Sequence, residues 1–255
     1  MKRSDLTIMG LILVALSVLT YYIHYLIFRD PHHIFIFLVE DIAFVFLEVL
    51  LVGMVLERIL ARREKQHMFT KLNMVAGAFF SEIGNKLLSM LIKFYPEDCQ
   101  ICPCMDVTHD WGKKEYKAAL SYIDKLKIMP QCSNVDLDML KDFLLEKRSF
   151  ILRLLENPYV LEHESGSELL WAVLHLTEEL EARAFLGDLP ETDQRYLFEN
   201  IHRVYRLVAT EWLVYIQYLK VNQPFLFTLI LRVHPFRKNP SPVVTDPAVA
   251  DKEEE

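Results

Sequence analysis

Glycine is scarce in this chain, with only seven in 255 residues. That scarcity removes several function classes together. There is no Gly-rich phosphate loop, no dinucleotide fingerprint and no nucleophile elbow. Each of those needs glycine where the backbone turns sharply or closes on a ligand. ATPase, kinase and Rossmann-type readings fall with them. Period-two alternation is also missing, so no sheet is expected. Positive charge is in short supply: 28 Lys and Arg against 35 Asp and Glu give a net charge of −7. A general nucleic-acid binder concentrates basic residues on one face, so that class is excluded too. No carboxylate pair is placed for glycoside hydrolysis. The chain is therefore read as a non-enzyme.

Apolar residues are what the chain has in excess: 52% are hydrophobic and 12% aromatic. They are unevenly spread. Leu6 to Phe28 holds no Asp, Glu, Lys or Arg over 23 residues, and a bilayer core of roughly 30 Å needs about 20 helical residues. A cleaved signal peptide is the rival, since Lys2 and Arg3 precede the run. The run is too long for one, and Tyr21-Tyr22-Ile23-His24-Tyr25 offers no small-residue cleavage site. A second apolar run, Ile34 to Leu56, follows the turn Phe28-Arg29-Asp30-Pro31-His32-His33. Pro31 breaks the helix there and pushes Asp30 towards extended geometry. Residues 1–65 are thus expected to form a transmembrane hairpin with spans at about 6–28 and 34–56. Lys2, Arg3, Arg58, Arg62, Arg63 and Lys65 flank one side, whereas the turn holds only Arg29. The positive-inside rule then places both termini in the cytoplasm of a multi-pass protein of the cell (inner) membrane. Tyr21, Tyr22 and Tyr25 suit the outer interface.

The second run carries acids: Glu40, Asp41 and Glu48. With His24 they are the intramembrane polar candidates. Asp41 and Glu48 are seven residues apart and share a helical face. Glu48 lies near the bilayer centre, where a charge costs several kcal/mol. By depth in an antiparallel pair, its partners on the first span are Ser17, Thr20, Tyr21 or His24. Such acids mark a proton or cation path, or a contact that sets oligomeric state. The plainer alternative is a protonated glutamate hydrogen-bonded inside a helix bundle.

Residues 66–236 read as a cytoplasmic helical domain. No proline occurs between Pro31 and Pro96, so the second span is expected to continue as one long helix, bent at Gly77 or Gly84. Phe69, Leu72, Ala76, Phe79, Ile83, Leu87, Met90 and Phe94 form its apolar stripe. Glu97 to Asp110 reads as a loop. Further helices are expected from Gly112 to Lys127, from an Asp136 cap to Leu155, and from a capping box at Ser165-Gly166-Ser167-Glu168 to about Phe185. A long helix runs from Leu189-Pro190-Glu191 to about Val221. A short apolar one, Phe225 to Val233, is either core or a membrane-surface contact. Residues 237–255 form a Pro-rich, acidic tail of disordered character. The fold class is all-α: an N-terminal two-helix transmembrane hairpin followed by a cytoplasmic multi-helix bundle.

Two polar constellations in this domain bear on metals. Cys99-x-x-Cys102-x-Cys104 is the sharper. Cytoplasmic thiols stay reduced, so clustered cysteines there suggest metal or redox use. Cys132 completes a four-sulfur set for zinc or iron, with His109 or Asp106 as other fourth ligands. Only one C-x-x-C pair exists, so a loop that merely holds thiols is the alternative. Glu199-x-x-His202 has the spacing of di-iron bundles, with Glu168, His175, Glu178, Glu179, Glu82 and Glu146 on neighbouring helices. Such sites need two Glu-x-x-His pairs, and one is present.

Several strings resemble an uncharacterised family of small prokaryotic membrane proteins with two spans and a helical cytoplasmic domain. They are Glu40-Asp41, Arg63-Glu64-Lys65, Lys71-Leu72-Asn73-Met74-Val75, Phe79-Phe80-Ser81-Glu82, Phe143-Leu144-Leu145-Glu146-Lys147-Arg148, His175-Leu176-Thr177-Glu178-Glu179-Leu180 and Leu189-Pro190-Glu191. The resemblance covers most of residues 34–236 and implies no activity. The cysteine cluster is not part of that pattern. The leading expectation is a membrane-anchored helical interaction or scaffold module, partnered by the bilayer and by a second copy or another protein, with no nucleic acid. The alternatives are an oligomeric proton or cation conduit built on the intramembrane acids, and a cysteine-based metal or redox sensor.

Overall fold

Period-3.6 patterning with few glycine interruptions leads to helix almost everywhere. The computed structural model describes residues 3–29, 31–96, 101–131, 134–161, 163–187, 189–237 and 239–244. Among these it contains ten α-helices, one π turn and no strand. The chain divides into two units, Met1–Gln66 and His67–Glu255.

The first unit holds α1 (Arg3–Phe28) and the N-terminal part of α2 (Pro31–Phe79). Arg29 ends α1 in the left-handed region, with φ 48°, and its N–H donates to the Tyr25 carbonyl at 2.9 Å. Glycine normally fills such a C-terminal position, and a side chain there costs about 1–2 kcal/mol. Asp30, expected to be extended, lies outside the described residues. Ile8–Ile27 of α1 is long and apolar enough to cross a membrane. It is the one helix of that kind among the described residues, where two were expected. In α2 the run is broken by Glu40, Asp41 and Glu48 and then by Glu57 and Arg58.

In the second unit, α2 ends at Phe79, and the segment that follows takes in Gly84, one of the two expected bend points. The helix widens into a π turn over Phe80–Gly84 and resumes as α3 (Asn85–Ile92). One extra residue per turn shifts the buried face by about 100°. That shift lets the sequence neighbours Phe79 and Phe80 both point inwards. Their rings meet edge to face at 5.2 Å, and Phe80 stacks on Tyr215 at 5.3 Å. Gly84 is required by this packing, because a Cβ there would run into the Phe80 ring.

The expected 97–110 loop contains a short helix, α4 (Ile101–Met105), and residues 97–100 lie outside the described set. Buried Ile101 and Met105 hold α4 in place. The next helix, α5 (Lys113–Lys125), opens with the Gly112 N–H donating to the Glu115 carboxylate at 2.7 Å. In α6 (Asn134–Leu155), Asp136 falls in the first turn and is not the cap. After α7 (Pro158–Leu161) comes α8 (Glu164–Ala182), which starts before the expected capping box. Ser167 Oγ donates to the Glu164 carbonyl at 3.0 Å, so that serine serves the first turn from within. The box is thus inside the helix, which ends at Ala182, short of Phe185.

The longest helix of the second unit is α9 (Glu191–Asn222), and it carries the core. Leu197, Ile201, Val204, Tyr205, Val208, Trp212, Ile216 and Leu219 are all buried along it. Both α5 and α8 pack on α9, and α6 packs on α8. The last helix, α10 (Pro224–Val233), buries Phe227 and Ile230 and leaves Phe225 92% exposed. The short apolar helix is therefore core on one side only. Residues 245–255, most of the expected tail, lie outside the described set.

One charged clamp fixes the α8–α9 corner. The Arg183 guanidinium makes paired bonds to Asp193 at 2.7 and 2.9 Å and reaches the Glu179 carboxylate at 2.6 Å. The hydrogen bonds that Arg183 donates to Asp193 raise the Arg183 pKa, and the same bonds hold the Asp193 carboxyl below its ordinary range.

Candidate functional site

The polar residues of the first unit come from both of its helices. The Tyr21 hydroxyl of α1 donates to Asp41 Oδ2 of α2 at 3.2 Å. This bond sets the antiparallel register. Glu48, seven residues further along α2, is then level with Val14, seven residues back along α1. The partners expected from depth (Ser17, Thr20, Tyr21 and His24) therefore lie towards the turn from it. Tyr21 serves Asp41, and Thr20 Oγ1 donates to its own helix at Leu16. Glu48 is exposed and has no hydrogen bond or ion pair among the described residues. Glu40 is also exposed, and His24 is half-buried.

In the second unit α5, α8 and α9 enclose a cleft of about 610 Å³. Its walls carry Asp124, Glu168, Glu199, His202, Arg203, Arg206 and Thr210. Arg206 pairs with Asp124 at 2.7 Å and Arg203 with Glu168 at 3.1 Å. Both pairs are solvent-exposed, so each contributes about 0–1 kcal/mol. They orient the walls more than they hold them.

His202 decides what the cleft can do. Its Nε2 lies 3.1 Å from the Leu126 carbonyl, which can only accept, so Nε2 carries the proton. Its Nδ1 lies 2.8 Å from the Tyr95 hydroxyl and accepts from it. Burial lowers its pKa and keeps the ring neutral. With both nitrogens engaged, His202 has no lone pair for a metal and no free site for proton transfer. It is a staple joining the end of α3, the end of α5 and α9. The di-metal reading of Glu199-x-x-His202 loses its other members as well. Glu168 pairs with Arg203, Glu178 with Arg148, Glu179 with Arg183, and both Glu82 and Glu146 with Lys147.

Of the cysteine set, Cys99 and Cys132 lie outside the described residues, as does the side chain of Cys102. Cys104 is a half-buried free thiol beside Trp111, Glu115 and Tyr122. Among the described residues no three His, Cys, Asp or Glu side chains gather at metal-binding range. The two proposed fourth ligands have other neighbours. His109 lies against the Phe227 ring at 6.2 Å. Asp106 Oδ1 sits 3.1 Å from Nε2 of His234. That approach is an ion-pair distance out of line for a hydrogen bond, and neither atom has another partner. His234 is fully buried against Trp212 and Phe236. Burial pushes its pKa down to about 4, with Asp106 opposing the shift. Sequence reading missed His234 because nothing local to Val233-His234-Pro235 marks it; only tertiary packing does.

The fold and these sites define an all-α protein of two helical units whose polar residues are largely tied in pairs and staples. The chain belongs to the MJ1433 family. Residues 2–60 match its N-terminal helical domain, and residues 68–232 match the C-terminal helical domain of Uncharacterized protein MJ1433. The Methanocaldococcus jannaschii protein of that description is 40% identical over 229 residues, which is 90% of this chain and 92% of the relative. No solved structure matches.

Proposed function

We propose that this protein is a membrane-anchored helical interaction module that self-associates. One observation carries the reading: Ile8–Ile27 has none of its length buried. Leu11, Val18 and Ile27 are each at least 65% exposed, as are Phe46 and Val49 on α2. Contiguous apolar surface on this scale marks contact with a membrane or partner. In this reading α1 and the first part of α2 form a transmembrane hairpin, with both termini in the cytoplasm and the second unit beside them there. The Tyr21–Asp41 bond supports the hairpin, since it satisfies one intramembrane acid from the partner helix. Glu48 has no such partner, and a second copy of the chain is the natural source of one.

The test is carbonate extraction of native membranes, followed by mass determination and metal analysis of the detergent-purified protein. Extraction of the chain into the soluble fraction overturns the anchor. A strict monomer overturns self-association. A closed ring would favour the conduit alternative, in which Glu48→Gln abolishes proton flux, whereas an interaction module tolerates it. Stoichiometric zinc or iron lost with Cys104→Ser would favour the sensor.

A further inference from the structure

Below the C-terminal end of α9 the second unit changes character. Val221 is 78% exposed and Phe225 is 92% exposed; Leu226, Leu229 and Val233 complete the open side of α10. The opposite side, Phe227 and Ile230, packs on the core. So α10 is amphipathic with two apolar faces, and only one has a protein partner.

The charge of the surrounding sequence is one-sided. Residues 212–245 contain no Asp or Glu, yet they carry Lys220, Arg232, Arg237 and Lys238. This stands out in a chain of net charge −7. The Arg232 Nε is buried without a hydrogen-bond partner. Place in the domain is the third observation. Phe69, two residues past the start of the second unit, meets Tyr218 edge-on at 6.0 Å and is itself 45% exposed. The open face of α10 thus begins one turn from where the chain enters the domain. An apolar helix face flanked in sequence by basic residues, with Asp106 held against His234 on its buried side, fits the headgroup boundary of an anionic bilayer.

We infer that the open face of α10, led by Phe225 and Val221, rests on the surface of an anionic lipid bilayer. The inference rests on the anchor proposed above and adds a second, peripheral contact to it. Phe225 and Leu226 sit at the acyl boundary, while Arg232 and Arg237 reach the phosphates. The helix lies on the membrane and does not cross it, because ten residues are too few to span.

The experiment uses the full chain reconstituted into vesicles of phosphatidylglycerol and phosphatidylcholine, with the photo-reactive substitution Phe225→p-benzoylphenylalanine. Phe185→p-benzoylphenylalanine is the control. Phe185 is 85% exposed but lies beyond the N-terminal end of α9, a helix of 32 residues, or about 48 Å. Irradiation should give lipid adducts at 225 and only background at 185. In pure phosphatidylcholine the yield at 225 should fall at least about fivefold, since each of Arg232 and Arg237 contributes about that factor near an anionic surface. Equal lipid labelling at both positions overturns the inference, as does a protein–protein or tail adduct at 225 in place of lipid. Carbonate extraction of the same vesicles separates the two claims. A chain that stays inserted but does not label at 225 sinks this inference alone. A chain that labels at 225 but is extracted leaves the surface contact standing and sinks the anchor.

Discussion

The two units use the same residue types with opposite outcomes. In the first, Leu, Ile, Val and Phe line the outside of α1 and α2. In the second, the same residues are sequestered around α9, and Trp212, Tyr205 and Phe80 are almost wholly buried. Propensity cannot separate the units, since both are helical. What separates them is the period of the polar residues. Most helices of the second unit set charged and polar residues beside an apolar stripe, so they have an inside. Ile8–Ile27 has no charges to interleave, so it has no inside. Whether a helix is amphipathic thus tells which solvent it was selected for.

The sharpest way to break this contrast is to cut one aromatic group from each unit. Trp212→Ala should cost the second unit about 3–5 kcal/mol in denaturant unfolding. Phe46→Ala, at a side chain 74% exposed, should leave that transition unmoved. Next in size is a pH effect confined to the second unit. Above about pH 6.5 His234 is neutral whether folded or not. Below it the unfolded chain takes up a proton that the buried ring refuses until about pH 4. Stability should therefore fall on acidification from about pH 7 to about pH 4.5, by on the order of 2–3 kcal/mol. His202, also depressed by burial, adds in the same direction. Thermal scans of wild type and His234→Gln across that range should show a shallower loss for the variant. A parallel loss would assign the effect elsewhere.

Arg183→Met should cost about 2 kcal/mol, since it leaves Glu179 and Asp193 without their charged donor. Unfolding with Asp193→Asn as the second arm of a double-mutant cycle checks this, and additive losses would refute the clamp. The smallest effect is expected in the first unit. On the anchor reading proposed above, Tyr21→Phe removes one interhelical bond worth about 0.6 kcal/mol. A loss as large as that of Arg183→Met would mean that the hairpin depends on this bond far more than a single hydrogen bond allows.

Much of the helical order was legible in the sequence. Pro96, Pro190 and Pro224 bracket helices as their chemistry requires, and α9 runs from Glu191 to Asn222, close to its expected limits. The boundaries that shifted did so for local reasons. Ser165 and Ser167 look like a cap from sequence, but His163 turned extended and let α8 begin earlier. The π turn was hidden because periodicity averages over several turns, and a one-residue change of phase blurs the stripe without breaking it. Asp41 was found as a candidate, yet its partner depended on a register that no local pattern encodes. His202 was noticed for its spacing to Glu199. Its role became readable only when Tyr95 and Leu126, distant in sequence, closed on its two nitrogens.

The π turn has one more consequence. A regular helix through Phe80–Gly84 would carry every residue after it about 100° around the axis, sending Leu87 and Leu91 from the core towards water. The segment therefore works as a vernier: one surplus residue converts the phase of α2 into the phase that α3 needs. Deleting one residue there would let a regular helix run through with Leu87 and Leu91 still on the core side, whereas adding one would turn both about 100° away from it. Tolerance to a change of length at this point is thus one-sided: one residue fewer keeps the phase and one more breaks it, a constraint on length and not on composition.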